Sequence, residues 1–132
     1  MLLGAPETAR DYVYIGDIVD ALAAVHSARA GLPPVVNVGS GHSTSLGELA
    51  QIVLDVVRDP TLNVEVRPGR AFDLSRTWLD IELAARTLGW RPRTPLRVGV
   101  AATWASLRQQ GDGAVISTLA RPDRLGPWSR PR

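Results

Sequence analysis

Apolar residues in this chain alternate between helical spacing and short continuous runs. Met1 to Ala9 shows neither pattern and predicts a loop. Tyr12-Val13-Tyr14-Ile15 is a β-branched and aromatic run that predicts a strand ending at Gly16. Asp17 follows where a helix N-cap would stand, its carboxylate serving the orphan amides of the first turn. Ile18, Leu22, Val25 and Ala28 then predict a helix to about Arg29 that buries one stripe and stops at Gly31-Leu32-Pro33-Pro34. The next run, Val35-Val36-Asn37-Val38, has the continuous apolar character of a strand covered on both faces in a parallel sheet.

Beyond the Gly39-Ser40-Gly41 turn, Ser45 and Glu48 have capping-box spacing, which gives a helix from Leu46 to about Arg58 a defined start. Its apolar positions, Leu46, Leu49, Val53, Val56 and Val57, lie mostly on one face. Alternation at Val64 and Val66 predicts a strand broken by Pro68-Gly69, and Leu74 to Trp78 a further one. Asp80 is placed to cap a short helix through Ile81, Ala84, Ala85 and Leu88, stopped by Gly89. Thr94 with Pro95 at the first helical position starts a last helix to about Gln110, burying Leu96, Val100, Trp104 and Leu107. The Gly-, Pro- and Arg-rich residues 112–132 are expected to form a disordered tail. Strands alternating with helices predict an α/β fold over residues 1–111. Its strands leave sheet edges uncovered, so neighbours from outside these residues are expected.

Composition narrows the chemistry. The 132 residues contain no cysteine, which excludes disulfides and cysteine-ligated zinc, and His26 and His42 lack the spacing of a metal site. No metal is expected. Nothing matches a secretory core or an apolar span of about 20 residues, so a cytoplasmic protein without membrane contact is the expectation. The calculated isoelectric point of about 9.9 suggests a nucleic-acid partner only at first sight. The net charge is +2 and the basic residues are spread along the chain, so none is expected. All 15 basic residues are arginine; no lysine can act as a base or lower a neighbour's pKa.

Arg10-Asp11-Tyr12-Val13-Tyr14-Ile15-Gly16-Asp17 resembles a segment of the extended short-chain dehydrogenase/reductases, among them the NAD-dependent nucleotide-sugar epimerases and dehydratases. Three further blocks match in order. Val36-Asn37-Val38-Gly39-Ser40-Gly41 with Thr44-Ser45-Leu46 is similar to the family's late strand, its turn and the next helix start. Arg67-Pro68-Gly69-Arg70-Ala71-Phe72-Asp73 is similar to its diphosphate loop. Asp80 through Leu88-Gly89-Trp90-Arg91-Pro92 to Leu96 is similar to its short helix, that helix's stop and the final helix. The resemblance runs from about Arg10 to Leu107 and is closest to the UDP-glucose 4-epimerases.

The resemblance implies an incomplete Rossmann-like fold: a late parallel strand of the cofactor-domain sheet plus the small substrate-binding lobe. It also implies a nucleoside-diphosphate sugar as ligand and NAD as the family's cofactor. In the family NAD takes and returns a hydride, a Tyr-x-x-x-Lys pair catalyses, and a Gly-x-x-Gly-x-x-Gly turn binds the dinucleotide; this sequence contains neither motif. Gly39-Ser40-Gly41 and Gly111-Asp112-Gly113 are lone Gly-x-Gly turns, read as ordinary turns. The chain is therefore expected to carry no catalytic or cofactor-binding residue, to bind no NAD alone and to be inactive by itself. A module that completes a split enzyme with a separate Rossmann-domain chain, and a gene remnant without function, stay open.

Among the residues, Arg70 matches the family's diphosphate-gripping arginine, Arg10 a second one, and Asp73 the aspartate that accepts from ribose hydroxyls. A planar guanidinium suits adjacent phosphates, and an ionised carboxylate accepts without a proton to give. Without the resemblance all three read as solvated loop charges. Arg67 is a possible third phosphate contact. Phe72 replaces the family's usual glycine, and Gly16 its usual acidic residue. Trp78, Trp90 and Trp104 are expected to pack, and Asp17 and Glu48 to act as caps.

Overall fold

Ser45 shows most directly how this sequence becomes structure. In the computed structural model, which describes residues 2–28, 31–67 and 74–110, its hydroxyl accepts from the Glu48 amide at 3.1 Å. The Glu48 carboxylate returns to the Ser45 amide at 2.8 Å. This reciprocal box starts α2 (Leu46–Val57), and the helix ends at Arg58, whose φ of 53° breaks the helical path. Glu82–Leu88 forms a shorter helix, α3, whose Glu82 amide is taken by the Asp80 carboxylate at 2.8 Å and whose end is set by Gly89 at φ 61°. Both helices lie where their local signals put them.

The remaining elements show where tertiary contacts override local pattern. Tyr12 to Ile15 is not a strand: Tyr14 is the N-cap of α1 (Ile15–Ser27), and its ring packs on Gly99, where an added Cβ would meet Tyr14 carbons at 3.1 Å. Asp17 is consequently not a cap. It lies inside the first turn, 4% exposed, and its carboxylate accepts from the Thr94 amide at 3.0 Å and hydroxyl at 3.1 Å. Nor is the buried stripe of α1 the predicted one. Asp17 and Ala21 face inward, while Leu22 and Val25 are 63% and 42% exposed.

The last helix, α4 (Leu96–Gln109), starts one residue later than predicted. Pro95 is its N-cap, and the Pro95 carbonyl accepts from Val98 and Gly99 while Thr94 is engaged by Asp17. Leu96, Val100, Trp104 and Leu107 line an apolar groove of 510 Å³ against Leu49 and Val53 of α2, where they remain partly exposed.

Strand pairing is sparse among the described residues. β1 (Leu2–Gly4), in the stretch expected to be loop, runs parallel to β4 (Glu65–Arg67), and β2 (Ala9–Arg10) runs antiparallel to β3 (Thr44–Ser45). Leu74 to Trp78 contributes an isolated bridge, Arg76 to Ala9. Val35 to Val38 makes no ladder among the described residues, and Val35 is 74% exposed. Val36 and Val38 nevertheless pack against the small core of Ala21, Ala84 and Trp90. Alanine at 21 and 84 lets α1 and α3 approach closely, and Trp90 is packed as expected; its indole N–H donates to the Asp17 carbonyl at 2.9 Å, which anchors the entry to α4. Residues 112–132 lie outside the described residues.

Candidate functional site

Two residues of β2 organise the region that the sequence singles out. Ala9 is stitched on both sides: β3 lies along one edge, and on the other its amide donates to the Ser75 carbonyl at 2.8 Å while its carbonyl accepts from Thr77 at 3.1 Å. Arg10 continues the grip. Its Nη1 donates to the carbonyls of Ala9 and Leu74, both at 2.8 Å. Leu74 directly follows Asp73 in sequence, so Arg10 stands where the chain leaves the segment holding Arg70 and Asp73. Arg70, Phe72 and Asp73 themselves lie outside the described residues.

Asp11 holds the neighbouring segments together, a role that carried no local signal. Its carboxylate accepts from the amides of Ser40 at 2.6 Å, Gly41 at 3.1 Å and Leu79 at 3.2 Å, which come from positions 29, 30 and 68 residues away. Partial burial pushes this carboxyl up, but the hydrogen bonds from Ser40, then Leu79 and Gly41, together outweigh it and leave it below the ordinary 3.8. Gly39 has to be glycine for the carboxylate to come so close, because a Cβ there would lie 2.8 Å from Asp11 Oδ2.

This arrangement also bears on the dinucleotide. A pyrophosphate cradle needs backbone amides directed at the ligand. In the Gly39-Ser40-Gly41 turn the amides of Ser40 and Gly41 are already committed to Asp11, so the turn does not fit that group, in keeping with its reading as an ordinary turn. The Gly111-Asp112-Gly113 turn lies outside the described residues.

The other singled-out residues are dispersed. His42 closes its own turn, its Nδ1 lying 2.7 Å from the Ser40 carbonyl, and His26 sits exposed in the last turn of α1. Contrary to the packing expectation, Trp78 is 56% exposed. Among the described residues no group of His, Asp or Glu could hold a metal, and no helix is long and apolar enough to cross a membrane.

No protein-family profile matches the chain. Curated relatives do. UDP-glucose 4-epimerase of Mycolicibacterium smegmatis is 38% identical over 106 residues, a match covering 77% of this chain and 32% of the relative. The dTDP-6-deoxy-L-talose 4-dehydrogenase of Kitasatospora kifunensis is 35% identical over 104 residues, with 76% and 32% covered. The chain thus spans about a third of the length of the curated relatives it matches. Among solved structures, UDP-glucose 4-epimerase of Thermotoga maritima with UDP-glucose superposes with a TM-score of 0.71 at 30% identity, covering 82% of this chain and 34% of that one. The structural neighbours are Rossmann-like epimerases, and the present α/β structure is a partial version of that fold. The chain belongs to the NAD-dependent epimerase/dehydratase family and corresponds to the C-terminal part of its UDP-glucose 4-epimerase-like members.

Proposed function

We propose that this chain is the nucleotide-sugar-binding portion of an NAD-dependent sugar epimerase or dehydratase, most like a UDP-glucose 4-epimerase. Arg10 and Arg70 take the diphosphate and Asp73 the ribose hydroxyls. The observation that carries the reading is the bond from the Arg10 guanidinium to the Leu74 carbonyl at 2.8 Å, which sets one basic group at the exit of the segment containing the other two residues. Relatives with UDP-glucose or with NAD and UDP-glucuronic acid bound supply the ligand class.

When bound, NAD would supply hydride acceptance and return. In this reading it is held, together with the catalytic base, by a dinucleotide-binding part outside these residues, whether in the same polypeptide or on a separate Rossmann-domain chain. The 132 residues contain no lysine to pair with a catalytic tyrosine, and the amides of Ser40 and Gly41 are engaged by Asp11. What these residues contribute is binding and orientation of the nucleotide.

Titration calorimetry with UDP and UDP-glucose tests the reading. Removing a charge-assisted contact costs about 1.5–3 kcal/mol, so Arg70→Ala should weaken UDP roughly tenfold to hundredfold. Equal affinity of the variant and the parent removes Arg70 from the site.

A further inference from the structure

We infer that Asp11 is the positioning residue of this site, locking residues 74–79 and the Ser40-Gly41 turn against Arg10 so that they meet the diphosphate as one surface. The inference rests on the nucleotide-binding reading above and adds to it a residue that touches no ligand.

Arg10 and Asp11 are consecutive, and side chains of consecutive residues in extended backbone leave on opposite sides. Both nevertheless hold the same returning segment. Arg10 takes its start, the Leu74 carbonyl at 2.8 Å, and Asp11 its end, the Leu79 amide at 3.2 Å. Between them Ala9 pairs with Ser75 and Thr77. The second oxygen of Asp11 reaches across to Ser40 at 2.6 Å, so the turn, β2 and the returning segment share one carboxylate. A phosphate-binding arginine gains from being fixed before the ligand arrives, since ordering a long side chain and a loop costs free energy on binding.

An ionised carboxylate is the group this geometry requires. Each of its oxygens faces at least one N–H, and neither has a proton to point at a donor. Asparagine has nearly the same shape but must turn its NH2 toward either Ser40 or the Gly41 and Leu79 pair.

The experiment is a double-mutant cycle on the full chain, with UDP affinity read by calorimetry and folding by thermal melts. Asp11→Asn should weaken UDP at least about tenfold, and the loss in Asp11→Asn/Arg10→Ala should fall well short of the product of the two single losses. Gly39→Ala, which displaces the carboxylate while keeping its charge, should weaken UDP in the same direction, and it serves as the test if Asp11→Asn does not fold. A parent that fails to bind UDP overturns the nucleotide-binding reading and this inference with it. A parent that binds, with variants of equal affinity or losses that simply multiply, overturns the positioning role alone.

Discussion

Asp17 on α1 and Thr94 at the entry to α4 are 77 residues apart in sequence and joined by paired hydrogen bonds, amide to Oδ2 at 3.0 Å and hydroxyl to Oδ1 at 3.1 Å. With the Trp90 indole on the Asp17 carbonyl, this fixes where the chain turns into α4. Asp17→Ala would leave both part-buried Thr94 donors without this partner; a fully buried unsatisfied donor costs about 1–3 kcal/mol, which is the upper bound here because water can reach Thr94. The expected outcome is a clearly lowered melting temperature, with Thr94→Val, which removes only the hydroxyl, intermediate. A variant melting like the parent would show that Thr94 finds other partners at no cost.

The capping box on α2 makes a smaller, local prediction. Ser45→Ala removes the acceptor for the Glu48 amide and frees the carboxylate from its hydroxyl partner. Caps of this kind are worth about 1 kcal/mol. Denaturant melts should register that loss, while Ser45→Asp, which keeps an acceptor, should recover most of it.

Acid sensitivity follows from Asp11. Its folded carboxyl titrates below the ordinary 3.8, so the stability it contributes is present above that value and is lost as pH falls through the folded pKa. Stability of the parent should therefore fall on acidification below about pH 4, and in Asp11→Asn this fall should be shallower. Denaturant midpoints followed from about pH 5 downward read the difference directly. Identical slopes would mean that Asp11 is not ionised in the hydrogen-bonded pose.

What could be read in advance was what neighbours in sequence determine. Ser45 with Glu48, Asp80 before α3, and Gly89 after it each satisfy helix ends within a few residues, and each stands where its pattern put it. Trp90, buried beside the helix stop, was legible for the same reason. Asp17 was misread because an aspartate before an apolar helix serves equally as a cap or as a clamp, and Thr94 is too remote for local spacing to decide between them. Asp11 was invisible because its donors come from two distant segments. The run Tyr12 to Ile15 has strand propensity, but the fit of the Tyr14 ring on Gly99 and the start of α1 prevail. At the candidate site Arg10 is proposed from resemblance alone, and its bond to Leu74 needed the structure.

The most demanding prediction concerns turnover. Oxidising a sugar carbinol requires a base for the hydroxyl proton as the hydride leaves, and an ordinary phenol, with a pKa near 10, is ionised to only about one part in a thousand at neutral pH. A cation beside it can shift that balance, but the sequence contains no lysine for a Tyr-x-x-x-Lys pair. The dinucleotide meets a second obstacle, since the Ser40 and Gly41 amides of the Gly39-Ser40-Gly41 turn are spent on an internal carboxylate. The purified 132-residue chain should therefore neither interconvert UDP-glucose and UDP-galactose with added NAD nor release cofactor on denaturation. A coupled assay, controlled for host epimerase with an Arg70→Ala preparation made in parallel, measures the first, and absorbance of the denatured supernatant the second. Turnover present in the parent and lost in Arg70→Ala would overturn the division of labour proposed here. Activity that arises only on mixing with a separately expressed dinucleotide-binding part would support it, because binding and orientation would then come from this chain and the proton and hydride chemistry from the other.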